Sequence, residues 1–110
     1  VDLEREGDIK TIRFRVGDDL SGGDIRKAEI NIRILNLTSE DEIKFRLNKT
    51  NLTLRRKTLN KDWSITLKYP IACPPLKEGL NTLEAILERR NPLIKPPIRI
   101  ESVGVWMRYN

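Results

Sequence analysis

The chain has 110 residues, 38% hydrophobic and 34% charged, which fits one globular domain with one core and is too apolar for a disordered segment. Its 21 Lys and Arg outnumber 16 Asp and Glu, a net charge of +5, and no run approaches the roughly 20 apolar residues of a membrane-spanning helix. There is no histidine, which rules out Cys–His and Ser–His nucleophile systems within the chain and makes a zinc site implausible.

Period-two alternation runs through almost the whole chain and predicts strands. In "IRFRV", Ile12, Phe14 and Val16 share a face, and Arg13 and Arg15 take the other. The Gly- and Asp-rich "GDDLSGGD" (17–24) follows as a loop. Its Asp18, Asp19 and Asp24 could hold a structural calcium through oxygen ligands; the alternative is a turn capped by aspartates. "AEINIRILNL" points Ala28, Ile30, Ile32 and Ile34 one way and Glu29, Asn31 and Arg33 the other. "NLTSED" (36–41) reads as a turn, "IKFRL" as a strand carrying Ile43, Phe45 and Leu47, and "NKTN" (48–51) as a hairpin turn. Arg55-Arg56-Lys57 is the densest basic cluster, and it has no aromatic neighbour. "WSITL" aligns Trp63 with Ile65 and Leu67, so Trp63 is expected in the core.

"YPIACPP" (69–75) and "NPLIKPP" (91–97) carry the prolines and are read as connections. They place Tyr69 in a loop before Pro70, as a secondary ligand candidate. Between them lies "LKEGLNTLEAILERR" (76–90). Its leucine spacing also fits a helical turn or two; the strand reading rests on its strand-like flanks and neighbours. Gly79 would supply a tight turn and Asn81 would hydrogen-bond across it, with Leu76 and Leu83 plugging the core. In the final stretch, "IRI" aligns Ile98 and Ile100, whereas "VGVWMRY" aligns Val103, Val105, Met107 and Tyr109. The even-to-odd change near Ser102 predicts a bulge. It also turns Trp106 and Arg108 outward. Seven or eight such strands without an intervening helix predict one antiparallel β-sandwich over residues 1–110.

Leu47-Asn48, the tract ending in Pro74-Pro75, and Leu76-x-x-Gly79-x-Asn81 together resemble the galactose-binding-like jelly roll of sugar-binding and C-terminal modules of bacterial glycoside hydrolases. Lys49 stands where that pattern has glycine. The resemblance covers most of the chain as a pattern, and its motif marks a turn, not a ligand site. It implies a jelly roll of about eight strands serving as a non-catalytic accessory module, with a saccharide as ligand. Trp106 would stack on a sugar ring and Arg108 would donate to its hydroxyls; Arg89 and Arg90 would assist from a loop, above all with an anionic glycan. The alternative is a structural module that packs Trp106 against a neighbouring domain of its parent protein.

No pair of carboxylates stands out for glycosidase chemistry, so an enzyme is not expected. The charges alternate in sign along the chain, as in "SEDEIKFR", which favours a mixed solvated surface over a third reading, a basic nucleic-acid or polyanion binder. Cys73 is alone and forms no internal disulfide. The chain opens on Val1 with no leader-like segment, and its one methionine is Met107; an excised or processed module is the expectation.

Overall fold

The computed structural model describes residues 1–17, 25–72 and 75–109. Asp18, Asp19, Asp24, Cys73 and the Tyr109 side chain lie outside what is described, and so does the calcium expectation. The described residues form nine strands: β1 (Asp2–Leu3), β2 (Ile9–Val16), β3 (Ile25–Leu35), β4 (Glu42–Leu47), β5 (Thr50–Asn51), β6 (Arg56–Leu59), β7 (Ile65–Ile71), β8 (Gly79–Arg89) and β9 (Ile98–Tyr109). All pairings are antiparallel. One sheet, A, runs β1-β9-β3-β7-β6, and the other, B, runs β2-β8-β4-β5. The expected all-β sandwich is therefore what the chain forms. "LNTLEAILERR" is strand throughout, from Gly79 to Arg89.

The two sheets pack face to face through the alternating apolar positions. Ile30, Ile32 and Ile34 of β3, Leu67 and Tyr69 of β7, and Ile98 and Ile100 of β9 meet Phe45 and Leu47 of β4 and Leu83, Ala85 and Leu87 of β8. Phe45 and Tyr69 make an edge-on ring contact across the interface, 5.5 Å between centroids. The predicted bulge is present. β3 and β9 slip register between Arg33↔Ser102 and Ile34↔Ile100, leaving Glu101 as the extra residue. Before it, even-numbered residues of β9 face the core; after it, odd-numbered ones do.

Two expectations are corrected. Trp63 is 80% exposed and sits before β7, in a turn with φ +68. There Ser64 and Asn60 close the β6–β7 hairpin: Asn60 N–H donates to the Ser64 carbonyl (2.8 Å) and Trp63 N–H to the Asn60 carbonyl (3.1 Å). The alternation starts only at Ile65. Tyr69 is not in a loop; it lies within β7 and is 4% exposed, and burial pushes its hydroxyl pKa upward. Pro70 does not end the strand. Arg55 N–H donates to the Lys68 carbonyl (2.9 Å), so at Lys68 the backbone polar groups face β6. Two residues on, Pro70 faces the same edge past the end of β6, where no N–H is needed.

The glycine–asparagine turn and the β4–β5 hairpin clasp each other. Gly79 has φ +85, and fully buried Asn81 spans the turn. Its Nδ2 donates to the carbonyls of Lys77 (2.7 Å) and Gly79 (3.2 Å), and its Oδ1 accepts from Lys77 N–H (3.0 Å). Asn48 Nδ2 donates to the same Oδ1 (2.8 Å) and to the Pro75 carbonyl (2.7 Å), while Asn48 Oδ1 accepts from Thr82 N–H (2.9 Å). Asn48 and Lys49, at φ +48 and +70, form the two-residue hairpin turn between Leu47 and Thr50. Left-handed backbone strains Lys49, which stands where glycine would be at ease. Lys49→Gly is expected to stabilise the protein by about 1 kcal/mol. Asn81→Ala, which strands buried partners on both loops, should cost about 3 kcal/mol. Urea unfolding of the two variants measures both.

Candidate functional site

Trp106 is held outward by the bulge. It is 50% exposed on the outer face of sheet A, with Glu29 of β3 directly opposite on the neighbouring strand. Pro70 of β7 faces Glu29 in turn. Two residues along, Arg108 of β9 faces Lys27 of β3. On the other side, Arg56 of β6 faces Lys68 of β7. These residues, with Arg55, line a half-open groove of about 470 Å³. The Lys68–Arg56 row continues through Asn31 of β3 to Gly104 of β9. Gly104 leaves the face bare: a Cβ built there meets no atom within 4 Å.

Arg108 thus lies with Trp106, as the outward phase of β9 predicted. Arg89 and Arg90 do not. They end β8 in the other sheet, where Arg89 approaches Glu42 (3.4 Å) at the start of β4 and donates to the Glu40 carbonyl (2.7 Å). On β3 the two regions are separated by the six residue steps from Glu29 to Leu35, about 20 Å of strand. Arg90 is a clip. Its buried guanidinium pairs with Asp41 (3.0 Å) and donates to the carbonyls of Asn36 (3.3 Å), Ile94 (3.4 Å) and Pro96. It thereby ties the 36–41 turn to the proline loop that follows β8. Tyr69, facing the core beneath the groove, has no route to a surface ligand.

Asp41 anchors that clip. Burial raises the pKa of its carboxyl, but the bonds from Asn91 N–H (2.6 Å), Thr38 N–H (2.7 Å), the Thr38 hydroxyl (3.0 Å) and Arg90 outweigh burial and hold it below the usual carboxylate range. A lowered pKa favours the ionised form in the folded state. Its stabilisation is therefore present above the ordinary carboxylate pKa and lost as pH falls through the folded value.

Sequence reasoning passed over Lys27, Glu29, Arg55, Arg56 and Lys68 as members of one site, since they come from separate strands and the turn before β6. The one signal was the basic cluster at 55–57, whose aromatic neighbour is distant in sequence and close in space. The chemistry on offer is binding: a flat ring flanked by guanidinium and ammonium donors, with one carboxylate acceptor. No protein-family profile matches the chain, and no curated protein is significantly similar to it in sequence.

Asp41→Asn should cost about 2 kcal/mol at neutral pH, because Arg90 loses its counter-charge. The cost should shrink as pH falls from about 5 to 2. Thermal unfolding of both proteins across that range is the check.

Proposed function

We propose that this chain is a non-catalytic binding module of a carbohydrate-active protein, and that its saccharide ligand lies along the outer face of sheet A, across Trp106. The observation that carries this reading is a half-exposed indole on a rigid strand, set in a groove with Arg108 beside it. A pyranose presents an apolar face that stacks on a flat ring, and its hydroxyls take hydrogen bonds from guanidinium and give them to carboxylate. An open groove on a sheet face suits a chain that passes over the surface.

The resemblance drawn from the Asn48 and Gly79-x-Asn81 elements supports the same reading. Setting aside the edge strand β6, the strands divide four and four, β1-β9-β3-β7 and β2-β8-β4-β5. We read that order as the jelly roll the resemblance implies, because β1 to β4 and β7 to β9 step alternately between the two sheets. The rival reading, a packing module without a ligand of its own, is favoured by a different surface: Trp63, 80% exposed, and Leu59 beside it at the β6–β7 hairpin.

Both readings answer to one titration. In a Trp63→Phe background the remaining indole is Trp106, so a glycan-array hit should give a saturable change in tryptophan fluorescence. Trp106→Ala should weaken binding at least about tenfold while leaving the unfolding midpoint within a few degrees. An array without a single saturable ligand would refute the saccharide reading.

A further inference from the structure

We infer that the ligand of the Trp106 groove is an acidic saccharide, with carboxylate or sulfate groups on the rings flanking the one that stacks on the indole. This rests on the saccharide-binding reading above and narrows it.

Charge distribution is the first support. Lys27, Arg55, Arg56, Lys68 and Arg108 line the groove against the single carboxylate of Glu29. The whole chain holds 21 cations and 16 anions, so four of its five net positive charges sit in this one depression. Elsewhere five arginines are ion-paired: Arg33 with Asp62 and Glu101, Arg46 with Glu84, Arg89 with Glu42, Arg90 with Asp41, and Arg99 with Asp2. Among the described residues, none of the five groove cations has such a partner. A patch of like charges repels itself, and an anionic ligand relieves that repulsion while gaining charge-assisted hydrogen bonds.

The arrangement is the second support. The Trp106–Glu29–Pro70 row has the Arg108–Lys27 row on one side and the Gly104–Asn31–Lys68–Arg56 row on the other, whose cations stand on β7 and β6. Each row is two residues away along the strands, about 7 Å, and Lys68 and Arg56 also stand two and three strands across from Trp106, about 5 Å per strand. The centre of the groove therefore offers a stacking surface and a hydroxyl acceptor, and its two flanks offer cations. A nucleic-acid strand fits this poorly. Its phosphates would pass the Glu29 carboxylate, and successive bases would need successive aromatic platforms, of which the groove has one. An acidic oligosaccharide carries hydroxyls at the centre and anions beyond.

Fluorescence titration of the Trp63→Phe protein tests this with oligogalacturonate, its methyl ester, a sulfated dextran oligomer, plain dextran oligomer and an oligothymidylate. The expected result is that at least one acidic glycan binds at least about tenfold more tightly than its neutral counterpart and weakens as salt is raised. Arg56→Ala should reduce acidic-glycan affinity about tenfold and leave the neutral one unchanged, and Arg108→Ala should weaken both but the acidic glycan more, with unaltered unfolding midpoints; Lys44→Ala, outside the groove, should do neither. The tighter of the two acidic arms names the anion. If the neutral glycans bind as well as the acidic ones, the inference falls and the saccharide reading stands. If no glycan binds, or if oligothymidylate matches the acidic glycans, both fall.

Discussion

One extra residue decides which way the last strand faces. Glu101 is the bulge in β9, and the outward placement of Trp106 and Arg108 depends on it. Without the slip, the parity that buries Ile98 and Ile100 would continue, sending Trp106 and Arg108 into the core and leaving Val103, Val105 and Met107 in water. The interior between β3, β4 and β8 is already filled with isoleucine, leucine and phenylalanine side chains, and a close-packed core does not admit an indole without displacing them. The bulge is also moored: Arg33 lies 3.8 Å from the Glu101 carboxylate and reaches Asp62 in the β6–β7 turn. The register error is thus tied to the adjacent hairpin.

The two ends of the sandwich use charge in opposite ways. Where the 36–41 turn meets the loop after β8, Asp41 and Arg90 are sunk together among backbone carbonyls and amides, and their charges serve to fix loops. At the Trp106 end, cations stand in the open with one carboxylate, Glu29, among them and no ion pair among the described residues. A buried pair gives rigidity and geometric definition to loops that carry prolines and little apolar surface. An unmatched cluster gives an electrostatic field that reaches into solvent.

Most of the architecture was legible because the buried positions alternate cleanly, and the bulge showed as a parity change between Ile100 and Val103. The turn chemistry was legible too, since Gly79 and Asn81 have local roles. The failures share a cause. At Trp63 the apolar alternation ran two residues beyond the true start of the strand, and a left-handed backbone leaves no mark in a hydropathy pattern. β6 was invisible because every residue in "RKTL" is exposed, so there was no buried face to set a period. Pro70 misled because a proline is silent about whether its missing N–H faces a neighbour or an open edge. The basic groove was hidden for another reason. Glu29 and each of its cations have ordinary neighbours along the chain, and only lateral pairing of β9, β3, β7 and β6 collects them.

Gly104 has a consequence for engineering. A side chain there would stand one row from the indole, on the solvent face, with no atom within 4 Å of its Cβ. A glycine in a strand interior also gives up backbone order that a β-branched residue would restore. Position 104 is therefore a graft point, where a library of side chains can reshape the surface beside Trp106 without asking the scaffold to move.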